Sequence, residues 1–99
     1  MISDMNQTRQ SPNPLIALRP ARPEDQPVIR GMVREERLDP TNIRWQHFIV
    51  AEQDGEVVGI GQVRPYRACR ELGSLVVREP HRGRGIAAQI VRELLAGEL

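Results

Sequence analysis

The sequence predicts a small α/β domain of the α+β type, in which helices pack on a mostly antiparallel sheet. Three observations predict this class: a hairpin signal at Asp54-Gly55, amphipathic helical segments near the start and at the end of the chain, and a glycine-rich turn leading into the last helix. With 99 residues, the chain is long enough for one domain with a single modest core.

Composition narrows the class of protein. Hydrophobic residues make up 39% of the chain and charged residues 27%, which is typical of a folded soluble domain. The net charge of +1 gives no support for a nucleic-acid or membrane partner. Cys69 is the only cysteine, and neither a signal peptide nor an apolar run of membrane-spanning length is evident, so we predict a reducing, cytoplasmic location.

The first half of the chain predicts a tail, a strand and a helix. Residues 1–14 are polar and contain two prolines, which favours a flexible tail, and Leu15–Arg19 follow as a short strand. Residues 23–37 predict a helix that ends before Asp39-Pro40, and a short second helix could cover Thr41–Trp45. One face of the main helix is apolar, with Val28, Ile29, Met32 and Val33.

The second half predicts a three-stranded meander. Residues 48–52 and 57–63 flank Asp54-Gly55, so they should be antiparallel neighbours. We predict a loop at Pro65–Arg70 and a third strand at Glu71–Val77.

A final helix is predicted after Arg84, and Gly97 suits its C-terminal end. The predicted order is therefore strand, helix, short helix, three strands and helix. The apolar positions of the final helix are Ile86, Ala87, Ile90, Val91, Leu94 and Leu95.

The turn between the last strand and this helix predicts an anion site. The first backbone N–H groups of a helix have no intrahelical partner and lie at the positive end of the helix dipole. Gly83 and Gly85 remove side chains that would keep a ligand away, and Arg82 and Arg84 add positive charge. A phosphate or pyrophosphate is the natural ligand. The alternative is an ordinary strand-to-helix turn that needs glycine for its backbone angles.

Two common phosphate-binding motifs fit poorly. A P-loop requires a lysine, and the chain has none. The dinucleotide fingerprint Gly-x-Gly-x-x-Gly/Ala is present at Gly83–Ala88, but it requires a parallel βαβ unit, whereas the preceding strands form a hairpin meander.

A third motif, Arg/Gln-x-x-Gly-x-Gly/Ala, is filled by Arg82–Ala87. With it the chain resembles the GCN5-related N-acetyltransferase (GNAT) superfamily. Leu75-Val76-Val77 matches the strand ahead of the family's motif, and Glu79–Arg82 lies where many members have a proline-containing loop. Ile16–Asp25 looks like the family's first strand and the entry to its first helix. The resemblance covers roughly the N-terminal two thirds of that fold.

The resemblance implies acetyl-CoA as acyl donor and an amine as acceptor, with no metal. The pyrophosphate would bind the glycine-rich turn, and the pantetheine arm would pair with the strand before it. The residues implied in binding are Leu75, Val76 and Val77 for the pantetheine and Arg82, Gly83, Arg84, Gly85, Ile86 and Ala87 for the pyrophosphate.

Transfer to an amine requires a general base and an acid that protonates the leaving thiolate. Some members of the family use a glutamate at the position of Glu71, so Glu71 is our candidate base; the alternative is a solvated carboxylate near Arg70. The family's acid, a tyrosine after a fifth strand, has no counterpart in this sequence. Seven further residues are assigned lesser roles. Tyr66 is expected at the rim, Cys69 as a spectator, His81 near a phosphate or in a plain loop, and His47 in the structure. The run Arg64, Arg67 and Arg70 is expected in a solvated loop, with binding of an acidic acceptor as the alternative.

The predicted elements end with the helix that follows the motif, whereas the family continues into further strands. We therefore expect the strand Glu71–Val77 to lie at an open edge. Such an edge could pair with a second polypeptide or with another copy of the chain. The competing interpretation is a CoA-binding module without catalytic activity.

Overall fold

The computed structural model describes residues 9–10, 16–66 and 69–96, which form one five-stranded sheet and two α-helices. The sheet order is β1-β2-β3-β4-β5, and every neighbouring pair is antiparallel. This arrangement confirms the predicted fold class. The strands are β1 (Arg9–Gln10), β2 (Ala17–Pro20), β3 (Phe48–Gln53), β4 (Glu56–Tyr66) and β5 (Cys69–Val77), and the helices are α1 (Gln26–Glu35) and α2 (Ile86–Ala96). Short 3-10 helices lie at Pro23–Asp25, Trp45–His47 and Glu79–His81.

The two helices cover opposite faces of the sheet, because alternate residues of a strand point to opposite sides. The α1 face includes Ala21, Ile29, Met32, Val33, Ile43, Phe48, Val50, Val57, Ile60 and Val76. The α2 face includes Ile16, Leu18, Ile49, Ala51, Val58, Ile86, Ile90 and Leu94.

Glycines of β4 bring α2 close to the sheet. A Cβ atom on Gly59 would lie 3.2 Å from Ile90 Cδ1, and one on Gly61 would overlap Ile90 Cγ2. The absent side chains therefore let the buried face of α2 pack directly on the strand backbone. This packing fixes the position of the helix beside the end of β5.

A buried ion pair fixes the start of α1. Arg19 of β2 donates to both carboxylate oxygens of Asp25, at 2.8 and 3.1 Å, and the backbone N–H of Arg22 donates to the same carboxylate at 2.7 Å. Burial alone would raise the pKa of the Asp25 carboxyl, but these hydrogen bonds outweigh it and hold the pKa below its usual range.

The N-terminal region differs in part from the prediction. Most of the predicted tail, residues 1–14, lies outside the described residues. Within it, however, Arg9 and Gln10 form a short strand paired with Leu18 and Ala17, which the sequence analysis did not predict. Two paired residues are too few for a readable periodicity.

The predicted short helix over Thr41–Trp45 is wrong. Asp39 accepts hydrogen bonds from the backbone N–H and the hydroxyl of Thr41, and Asn42 has a φ of 57°, so this segment turns instead of continuing as a helix. A 3-10 helix follows at Trp45–His47.

The predicted loop at Pro65–Arg70 is also too long. Pairing between β4 and β5 continues through Pro65↔Arg70 and Tyr66↔Cys69, and residues 67 and 68 between them lie outside the described residues. Proline is disfavoured inside strands, so a prediction from the sequence ends β4 before Pro65. Among the helices that the structure describes, none is long and apolar enough to span a bilayer.

Candidate functional site

The glycine-rich turn has the backbone conformation that an anion cradle requires. Gly83 and Gly85 have φ angles of 81° and 79°, a region that side chains other than glycine rarely adopt. A Cβ atom at either position would have no neighbour within 4 Å, so the space above the turn is open. We call residues Gly83–Ala88 the cradle.

The cradle ends in the N-terminus of α2. The carbonyl of Gly85 accepts from the N–H of Gln89 at 3.1 Å, which is the first turn of the helix. The N–H groups of Ile86, Ala87 and Ala88 precede this bond and have no intrahelical acceptor. Ile86 is buried in the core and Arg84 is exposed, so the cradle has a fixed base and a cationic rim.

Arg82 anchors the start of the cradle to the rest of the protein. Its Nε donates to the carbonyl of Val77 at 2.7 Å, and its Nη2 pairs with Glu36 Oε2 at 3.1 Å. The side chain therefore connects the turn to the end of β5 and to the end of α1. The resemblance implied contact with pyrophosphate, and in the structure much of this guanidinium is already engaged within the protein.

β5 runs from the cradle along the edge of the described sheet and pairs there only with β4. Val76 is buried under α1, whereas Leu75 is 40% exposed and Leu72 47% exposed. Leu75 lies on the α2 face beside Gly61. An extended ligand along this edge would thus meet free backbone groups together with exposed apolar side chains.

A β-bulge interrupts this edge. Gly61 pairs with Leu75 but Val63 pairs with Leu72, so two residues of β5 stand opposite Gln62. A bulge locally releases backbone groups from the ladder and turns them toward other partners.

Gln62 compensates for the bulge and is only 1% exposed. Its Oε1 accepts from the backbone N–H of Ser74 at 3.2 Å, and its Nε2 donates to the carbonyl of Asn42 at 2.8 Å. The side chain occupies the space that a Cβ on Gly73 would need. Gln62 is not among the residues predicted from the sequence, where its only signal is a polar residue at an inward-facing strand position.

The candidate base lies at the far end of β5 from the cradle. Glu71 is exposed and is paired across the strands with Arg64, whose Nε is buried with no partner among the described residues. Glu71 and Val77 are six residues apart, which corresponds to about 20 Å along a strand. The structure thus brings together the residues predicted for pyrophosphate and separates Glu71 from them by most of a strand.

The remaining candidates have less to contribute. The side chains of Tyr66 and Cys69 lie outside the described part of the chain, as does Arg67. His47 and His81 are half-buried in 3-10 helices, and the Nδ1 atom of each is buried without a partner in the described region.

Comparison with known proteins agrees with this geometry. The family model described as the acetyltransferase (GNAT) family matches residues 14–96. The chain therefore belongs to the GNAT family of acetyltransferases. No curated protein sequence matches it.

Among solved structures, Rv2747 from Mycobacterium tuberculosis, in complex with CoA and NLQ, is 30% identical with a TM-score of 0.73; the match covers 82% of this chain and 56% of that one. N-acetylglutamate synthase from Neisseria gonorrhoeae, complexed with coenzyme A and N-acetyl-glutamate, is 19% identical with a TM-score of 0.73, over 84% and 22% of the two chains. Diaminobutyrate acetyltransferase EctA from Paenibacillus lautus, with its substrate and coenzyme A, is 18% identical with a TM-score of 0.70, over 81% and 56%. The chain thus spans little more than half, or less, of these proteins.

Proposed function

We propose that this chain binds acetyl-CoA, with the pyrophosphate in the cradle and the pantetheine arm along the edge of β5, and that it serves transfer of the acetyl group to an amine. The observation that carries the proposal is the cradle itself. Two glycines of positive φ leave open space over the free N–H groups that begin α2.

Charge and shape both support a diphosphate at this position. The helix N-terminus carries partial positive charge, and anions bound there are stabilised by direct N–H hydrogen bonds. Arg84 adds a full positive charge at the rim. Family membership and the CoA bound to similar structures support the same ligand.

In the proposed reaction, the neutral amine attacks the thioester carbonyl, a new C–N bond forms, and the C–S bond breaks to release CoA thiolate. The ammonium form of the acceptor must first lose a proton to give this neutral amine, and Glu71 is our proposed base for that step. Its exposed position beyond the bulge supports this role, because an acetyl group at the end of a pantetheine arm on β5 would lie toward that end of the strand.

The proposed acceptor is a small primary amine. Two of the similar structures are complexes with an acetylated amino acid and with a diamino acid, which supports amino acids as the first acceptors to assay. A second polypeptide or another copy pairing along β5, and a cytoplasmic location, also remain predictions.

The function is tested by incubating the protein with acetyl-CoA and a panel of amino acids and diamines, while free thiol is measured. We expect thiol release that depends on both substrates. Acetyl-CoA binding without thiol release for any amine would contradict the transferase assignment and leave a coenzyme-binding module.

Replacing the base should slow this reaction. We expect Glu71→Gln to lower kcat about 100-fold at neutral pH, because general base catalysis typically contributes about 10²–10⁴ in rate. Glu56→Gln, at an exposed position at the start of β4, is the matched control and should leave kcat unchanged. Equal activity of the two variants would remove Glu71 from the mechanism.

A further inference from the structure

A groove rich in arginine lies apart from the cradle, between α1 and the segment that connects it to β3. Its volume is about 740 Å³. Arg30 and Arg34 line one side, four residues apart on α1, Arg37 follows just beyond the end of this helix, and Arg44 lines the connecting segment. We call this feature the arginine groove.

The groove concentrates positive charge on one side of the molecule. All four arginines are exposed, and within the described residues none of their guanidinium groups forms an ion pair or a hydrogen bond. Among the described residues that line the groove, none is acidic. Of the acidic residues nearby in sequence, Glu36 pairs with Arg82 and Asp39 accepts from Thr41, while Glu35 is exposed beside Arg34.

Like charges four residues apart on a helix, as Arg30 and Arg34 are, repel one another and weaken the helix. An anion between them removes that repulsion, and arginine binds phosphate and carboxylate through two parallel hydrogen bonds. The charge pattern therefore favours a ligand with more than one anionic group.

The base of the groove is apolar. Val33 and Ile43 form it and are 1% and 7% exposed, and Leu38 at the side is 38% exposed. Pockets of a few hundred cubic ångströms with an apolar base and a few convergent polar groups are typical of small-molecule sites.

Two glutamines, the half-buried Gln26 and the buried Gln62, hold the connecting segment in place. Gln26 binds both the carbonyl of Ile43, at 2.7 Å, and the N–H of Trp45, at 2.8 Å. Gln62 binds the carbonyl of Asn42. The groove is thus formed before any ligand arrives, which lowers the entropic cost of binding.

We propose that the arginine groove binds a small molecule with two or more phosphate or carboxylate groups, at a site separate from the acetyl-CoA cradle. Such a ligand bridges the arginines of α1 and Arg44. The end of α1 is also connected to the cradle through the Glu36–Arg82 pair, so a ligand in the groove contacts the helix that supports the coenzyme turn.

The test is a backbone-amide NMR titration of the wild-type protein with sodium pyrophosphate and, separately, with sodium citrate. We expect saturable shifts for residues 30–44 that define a dissociation constant for the groove, apart from any shifts of the cradle amides. Tighter binding of pyrophosphate identifies a phosphate ligand, and tighter binding of citrate identifies a carboxylate ligand.

The double variant Arg30→Gln/Arg34→Gln should weaken binding in the groove at least about tenfold, because hydrogen bonds between charged groups are the strong ones. Arg92→Gln, an exposed arginine on α2, is the control and should bind as wild type. The absence of saturable shifts in residues 30–44 with both anions, or an unchanged dissociation constant in the double variant, overturns the proposal. The replaced side chains are exposed, and the amide spectrum reports directly whether the variant is folded.

Discussion

The two faces of the sheet hold their helices by different means. On the α2 face the contacts are apolar, and glycines of β4 allow the helix to pack on the strand backbone. On the α1 face, polar side chains add to the apolar core, namely the buried Arg19–Asp25 pair, the buried Gln62 and the half-buried Gln26.

The kind of contact on each face suits the part of the chain that the face holds in place. Close packing fixes the N-terminus of α2 beside the end of β5, where the cradle requires an exact backbone position. Buried polar contacts hold irregular segments, such as the connection after α1 and the bulge of β5, whose backbone groups have no ladder partner. We therefore expect substitutions on the α1 face to act through unsatisfied polar groups, and those on the α2 face through steric overlap.

The largest loss of stability is expected for Asp25→Ala. Removing Asp25 leaves the buried Arg19 guanidinium with Glu52, at 3.1 Å, as its remaining carboxylate partner among the described residues. We therefore expect a cost of about 3 kcal/mol in the free energy of unfolding, the low end of the range typical for breaking a buried ion pair. Denaturant unfolding monitored by circular dichroism measures it. Glu24→Ala, an exposed residue in the same 3-10 helix, is the control and should change little.

The same pair predicts the direction of a pH effect. The pKa of the Asp25 carboxyl is lower in the folded state than in the unfolded state. The ionised carboxylate therefore adds to the free energy of unfolding above the unfolded-state pKa of about 3.9, and this stabilisation is lost as pH falls through the folded-state pKa. Wild type should therefore lose more stability than Asp25→Ala in this acidic range. Parallel pH profiles of the two proteins would contradict this assignment.

A smaller loss is expected for Gly61→Ala, because the added methyl group overlaps Ile90 and forces α2 away from the sheet. Overpacking of this kind typically costs about 1–3 kcal/mol. Gly31→Ala is the matched control within α1, where an added Cβ has no neighbour within 4 Å. Gly31→Ala should raise the free energy of unfolding by up to about 1 kcal/mol, because alanine is a better helix former than glycine. A shift of the same sign in both melting temperatures would contradict the packing argument.

The smallest loss among these is expected for Gln62→Leu, about 1–2 kcal/mol, since the Ser74 N–H and the Asn42 carbonyl lose their partner. Hydrogen exchange should accelerate at the Ser74 amide. Gln46→Leu, at an exposed position, is the control. Unchanged protection at Ser74 would show that the bulge does not depend on this side chain.

Features determined by neighbouring residues were predictable from the sequence. The hairpin at Asp54-Gly55, the amphipathic helices and the cradle each depend on a few consecutive residues and their backbone preferences. Features that depend on contacts between residues distant in sequence were not predictable in this way. Gln62 and Asn42 are 20 positions apart, and Gln26 and Ile43 are 17 apart, so these contacts depend on a register and a chain path that periodicity does not reveal.

The arginine groove was missed for the same reason. The arginines of α1 are evident in the sequence as the solvent side of a helix, but Arg44 joins them only because the connecting segment turns at Asn42. The short helix predicted over Thr41–Trp45 would have placed these residues differently.

Calorimetric titration with acetyl-CoA tests the central claim, that the cradle is the pyrophosphate site, when Gly85→Glu is compared with Gly55→Glu. Both glycines have positive φ, at 79° and 81°, and open surroundings, so the two variants share the same backbone strain and added charge. We expect Gly85→Glu to weaken binding at least about tenfold, because a carboxylate then occupies the anion site. Gly55→Glu, in the β3–β4 turn, should bind as wild type. Equal affinity of the two variants would contradict the assignment.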